Sequence, residues 1–181
     1  MAIYGVFEST NMRATHYAKR IFDCVCDKDV ENGMFGYMDG LAEGQSHIYN
    51  FVAGVKEGKQ VVVVNQPAWT EDECSRTNQR RDKFYVPAGT PFRVFCVDMD
   101  DEFAITKECA TADTRDNLDV KKFLTIDNAT GKLKVADAAT EGAVMEAEVM
   151  RKRVQGDTLV TGLRTYGYSN MMYTAKINVL A

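Results

Sequence analysis

The spacing of the turns constrains this chain more than any other feature. Runs of strand-like residues recur along the first half: "RIFDCVC" at 20–26, "NGMFGYMD" at 32–39, "HIYNFVA" at 47–53 and "QVVVVN" at 60–65. Glycine-bearing turns, "LAEGQS" at 41–46 and "VKEGKQ" at 55–60, cut between them. A turn roughly every 8–14 residues leaves no room for the helical crossovers of βαβ units and suits a sandwich, a barrel or a β-rich appendage. Val61–Val64 has no polar alternation, so it reads as a strand buried on both faces.

The second half is more regular. "FRVFCVD" at 92–98 sets Phe92, Val94 and Cys96 against Arg93, Phe95 and Val97, and "EFAIT" at 102–106 follows a short acidic turn. "FLTID" at 123–127, then "NATGK", then Leu133–Ala136 predicts a hairpin. "VMEAEVMRKRV" at 144–154 carries helix formers, but the alternation of Val149, Arg151 and Arg153 permits a strand. The "QGDT" turn and "LVTGLRTYGYS" beyond it favour an antiparallel partner, which decides for strand. "MYTAKINVL" at 172–180 is the last strand. Gln66–Phe84 holds no clear strand; Thr70 with Glu73 makes a capping box that could open a short helix across 71–81. The prolines, Pro67, Pro87 and Pro91, cluster there and at the start of the following β part.

The expectation is a mainly β protein: a β-rich N-terminal region or arm at 1–66, a linker or short helix at 67–84, and an antiparallel barrel or sandwich at 85–181. With 181 residues, 45% of them hydrophobic, the chain can fill a core. A net charge of −4 lacks the basic footprint of a sequence-independent nucleic-acid binder. No apolar run approaches the roughly 20 residues that span a bilayer, and the N-terminus shows no basic start followed by an apolar stretch. A soluble protein made in a cytoplasm is expected, without nucleic-acid or membrane partners.

Candidate chemistry is sparse. Asp98, Asp100, Asp101 and Glu102 could offer oxygens to Ca²⁺, but the spacing lacks the EF-hand glycine and its distal glutamate. The competing reading is the solvated polar turn of a hairpin, because aspartate bonds its own backbone in turns. Cys24, Cys26, Cys74, Cys96 and Cys109 match no zinc or disulfide framework and read as reduced, apolar side chains, with Cys24 and Cys26 on one strand face. His16 and His47 carry no motif, and there is no HExxH, GxSxG or P-loop. Arg80, Arg81 and Lys83 form a small basic group that reads as a solvated face. "GMFGYM" at 33–38 and "YSNMMY" at 168–173 concentrate methionine and tyrosine, for a core or for a subunit interface. No catalytic, cofactor or metal residues are assigned.

Three segments carry a resemblance: "FYVPAGTPFRVFCVDMDDEFAIT", "FLTIDNATGKLKVADAAT" and "AEVMRKRVQGDTLVTGLRTYGYSNMMYTAKI". Together they resemble the C-terminal β-domain of tailed-bacteriophage capsid decoration proteins, also described as head structural or cement proteins. Gly89–Arg93 fits the family's first strand, Asp101–Phe103 its acidic turn, and Asp127 with Gly131–Leu133 its hairpin; Met99-Asp100 departs from the usual Lys-Gly pair. The likeness covers roughly the last hundred residues. It implies a β-tulip-like domain and a virion protein, not an enzyme. Such a protein would bind the major capsid protein lattice on the capsid exterior as a homo-oligomer, with a trimer favoured, after assembly in the host cytoplasm. The alternatives are another virion component, such as a tail-tube or head-fibre protein, and a small metal- or cysteine-dependent enzyme.

Overall fold

The computed structural model describes residues 3–68, 81–154 and 171–181. Its strands, in chain order, are β1 (Phe7–Asn11), β2 (Ile21–Val25), β3 (Phe35–Leu41), β4 (Ile48–Ala53), β5 (Val61–Val64), β6 (Phe92–Cys96), β7 (Glu102–Ile105), β8 (Phe123–Ile126), β9 (Leu133–Ala136), β10 (Met145–Val154) and β11 (Met171–Leu180). The only described helices are single 3-10 turns, and none is long and apolar enough to cross a membrane. The protein is mainly β, as its turn spacing requires.

The strands form two bodies. One is a closed barrel in the order β2-β4-β3-β5-β6; the other is a six-stranded sheet in the order β1-β7-β11-β10-β8-β9. Pairing is antiparallel except between β2 and β4, which run parallel with Cys24 opposite Tyr49. Each half of the sequence sends one strand to the other's body. β1 leaves the N-terminal region to pair with β7, Phe7 opposite Ile105. β6 leaves the C-terminal region to close the barrel between β2 and β5.

β5 shows why an unbroken apolar run is needed. Successive side chains point to opposite faces. Val61 and Val63 join the core shared with the sheet, among Phe7, Phe35, Phe103 and Ile105. Val62 and Val64 join a second cluster drawn from the barrel strands, with Cys24, Phe51, Phe92 and Val94. All four valines are at most 2% exposed. A polar residue at any of them would enter one core or the other without a partner.

The hairpin expected at 123–136 is present. β8 and β9 pair from Phe123 opposite Ala136 to Ile126 opposite Leu133. Asp127 shapes its turn: the carboxylate accepts the Thr130 N–H at 3.1 Å and the Thr130 hydroxyl at 2.7 Å. The turn also docks on the barrel. The Phe35 N–H donates to the Gly131 carbonyl at 2.7 Å, and the Asn128 Oδ1 accepts the Val55 N–H at 2.9 Å. Gly131 sits at φ +71°, and a Cβ there would lie 2.5 Å from the Phe35 carbonyl oxygen. Glycine is required twice, by conformation and by contact.

The segment at 144–154 is a strand, paired along its whole length with β11 and over Glu146–Glu148 with β8. Two expectations need correction. β1 was not anticipated: "FESTN" is largely polar and buries only Phe7 fully, the mark of an edge strand. The acidic turn does not close a hairpin either. Its flanking strands, β6 and β7, belong to different bodies and do not pair. The helix suggested by Thr70 and Glu73, most of the 67–84 linker and the "LVTGLRTYGYS" segment lie outside the described residues.

Candidate functional site

The acidic turn is a crossover between the two bodies, and its four acids have separate roles. Asp101 is 3% exposed. One of its carboxylate oxygens accepts the Arg13 N–H at 2.8 Å and the other accepts the Asp98 N–H at 2.8 Å. Its backbone carbonyl accepts the Ile177 N–H at 3.0 Å, and the Asp100 N–H donates to the Ile177 carbonyl at 3.2 Å. The turn thus staples the 3-10 turn at Arg13–Thr15, the end of β6 and the middle of β11. Burial pushes the Asp101 carboxyl above the usual carboxylate value, against the pull of the two N–H donors.

Asp98 pairs with Arg20, while its second oxygen is buried without a partner among the described residues. Asp100 takes φ +68°, a left-handed conformation that aspartate tolerates better than most residues, and its carboxylate meets Lys176 Nζ at 2.9 Å. Glu102 stands opposite Lys176 in the ladder between β7 and β11. The acids face cations and backbone donors individually. Among the described residues, no three His, Cys, Asp or Glu side chains converge as a metal-binding group.

The thiols behave as core side chains. Cys24, Cys96 and Cys109 are at most 2% exposed. Burial pushes Cys24 up to about 12, Cys96 to about 11 and Cys109 to about 12, so all three stay protonated at neutral pH. Cys26 is half-buried and packs on the same cluster as Cys24, as the shared strand face predicts. Cys74 lies outside the described residues.

His16 ends the first 3-10 turn, while His47 precedes β4 and meets the Ser46 hydroxyl at 3.1 Å. Both are exposed. Of the basic group, Arg80 lies outside the described residues and the other two members are engaged. Arg81 donates to Glu8 at 2.6 Å and to the Phe7 carbonyl at 3.0 Å, and Lys83 lies 3.9 Å from the buried Asp82. The second oxygen of Glu8 takes Arg153 at 2.5 Å, so one carboxylate bridges two distant cations. Sequence reading had no signal for that pairing.

Of the two methionine- and tyrosine-rich stretches, Met34 and Met38 pack half-buried on the barrel cluster and Tyr173 on the shared core, while residues 168–170 lie outside the described residues. Met12, Met145 and Met172 are fully buried, whereas Met99 and Met150 are about half exposed at 49% and 53%. An open depression of about 310 Å³ lies between Gly58–Val61 and Leu180–Ala181. Lys59 is the single ionisable side chain in its lining. One charged feature had no reading as a site from sequence: the three consecutive cations Arg151, Lys152 and Arg153 on β10. A charge run inside an alternating strand was its available signal. Comparisons with protein-family models, curated proteins and solved structures gave no match.

Proposed function

We propose that this chain is a virion structural protein that binds the outside of an icosahedral phage capsid and stabilises it. The observation that carries the reading is the resemblance over the last hundred residues, whose motif positions coincide with positions this fold depends on. Asp127 and Gly131–Leu133 form the hairpin turn that joins the sheet to the barrel. Asp101 of the acidic motif is the buried staple of the crossover. Gly89 donates its N–H to the Cys26 carbonyl at 2.8 Å and so fixes the start of the "GTPFR" segment on the barrel. Motif residues with such structural work are what a family of structural proteins would retain. Cys24, Cys96 and Cys109, buried and held protonated by desolvation, favour this reading over a nucleophile at those positions.

The test is to mix the purified protein with emptied heads of the phage that encodes it and measure cosedimentation, then locate it by electron cryomicroscopy. Saturable binding at symmetry-related positions on the exterior is expected. Label found only in the tail of the virion would refute the reading and favour a tail-tube component.

A further inference from the structure

The two strands that end the six-stranded sheet each receive contacts on their outer side. β9 receives a parallel bridge at Leu133 from Ala110, and the Val135 N–H donates to the Thr114 hydroxyl at 3.2 Å. β1 has the Arg81 guanidinium on its Phe7 carbonyl. β10, an interior strand, is different. β8 covers it at Glu146–Glu148, and one further pair of bonds joins Val149 to Lys121 and Lys122. From Met150 to Val154 the strand has β11 on one side and, among the described residues, no backbone partner on the other. All five residues are exposed.

Such an edge presents alternating N–H and C=O groups ready to pair with another extended chain. Its surroundings are basic. Lys121 and Lys122 stand where β8 leaves off, and Arg151, Lys152 and Arg153 follow along the edge. Lys122, Lys152 and Arg153 each hold one acid, Asp137, Asp119 and Glu8, in exposed pairs that a competitor can displace. Lys121 and Arg151 have no ion-pair partner among the described residues. This local excess of cations belongs to a chain with net charge −4. Met150 and Val154, 53% and 43% exposed, add apolar contact at the two ends.

We propose that the edge of β10 from Met150 to Val154 takes up an extended acidic segment of a partner protein as an added strand. A second copy fits poorly, because β10 against β10 would set cation opposite cation. A nucleic acid would satisfy the charge but offers no matching ladder of amides. The partner's identity as the shell protein rests on the reading above; the edge and the chemistry that fits it do not.

The test uses the full chain and two short synthetic peptides, one alternating Glu with Val and Thr, the other its Lys-for-Glu twin. The acidic peptide is expected to slow amide exchange at 150–154 and to bind more weakly as salt rises. Its affinity should fall about tenfold in Arg151→Glu and also fall in Lys121→Glu, a change off β10 itself, with circular dichroism unaltered. Equal binding of the basic twin, unchanged affinity in both variants, or protection elsewhere would overturn the proposal. Slowing of the same amides by an oligonucleotide, or a dimer that Arg151→Glu dissolves, would also overturn it. Head binding separates the two claims. Loss of peptide binding with head binding intact in both wild type and Arg151→Glu defeats the edge alone, whereas peptide binding without head binding defeats the capsid reading alone.

Discussion

Replacing Gly131 by alanine tests how much of the stability rests on the joint between hairpin and barrel. Gly58 supplies the control. The two glycines share nearly the same backbone, φ +71° and +73°, but differ in what a new methyl group would meet. At Gly58 nothing lies within 4 Å. At Gly131 the Phe35 carbonyl oxygen lies at 2.5 Å and the Ala53 Cβ at 3.1 Å. Both substitutions incur the left-handed conformational penalty, about 1–2 kcal/mol. Gly131→Ala must also push the turn away from β3. That movement breaks the 2.7 Å bond from the Phe35 N–H to the Gly131 carbonyl inside a buried contact. Leaving such groups unpaired costs about 1–3 kcal/mol more. Urea unfolding of both variants should therefore separate them by about 2 kcal/mol, or roughly 6 °C in Tm for a chain of this size. Losses that agree within about 0.5 kcal/mol, the scatter expected of independent sites, would show that the joint does not hold the bodies together.

Other outcomes follow from the acidic crossover and the thiols. Asp101→Asn replaces one of two carboxylate acceptors by a donor that faces a backbone N–H, and should cost about 2 kcal/mol in thermal unfolding; a loss near zero would mean that the staple bears no strain. A carbon-13 titration of the Asp101 carboxyl should place its midpoint above the ordinary value of 3.8. With the folded value raised, the folded state binds that proton more tightly than the unfolded chain. This group's contribution to stability therefore increases as pH falls through the folded midpoint; a midpoint below 3.8 would show that the two N–H donors outweigh burial. Alkylation mapped by mass spectrometry at pH 8 should leave Cys24, Cys96 and Cys109 unmodified until denaturant is added, while Cys26 reacts first among these four. Early modification of Cys109 would contradict its complete burial.

Much of the fold was legible because the hydrophobic pattern reports each strand's own burial. The alternation in 92–98, the unbroken valines of β5 and the hairpin around Asn128–Gly131 all gave the right element. Pairing was less legible, because partners lie far apart in sequence. Nothing near Cys96 announces that it stands opposite Val62, nor near Phe103 that it stands opposite Ala175. The acidic turn was misjudged for the same reason. Aspartate suits a hairpin and a crossover equally well, since both need side chains that bond the local backbone. β1 was missed because a strand that buries one residue leaves almost no periodic signal. The basic edge of β10 needed the structure, since only the short reach of β8 leaves those cations beside unpaired backbone.

The place of β11 has a consequence in time. It lies in the middle of the six-stranded sheet, between β7 and β10, yet it comes after every other described strand in the chain. During synthesis the barrel can close once residues near 96 have emerged. The β1–β7 pair and the β10-β8-β9 unit must wait, as two unjoined pieces, for the strand that fits between them. Such long-range closure slows folding. It also makes β11 a checkpoint: a chain cut short before Met171 would present two sheet edges with nothing to join them.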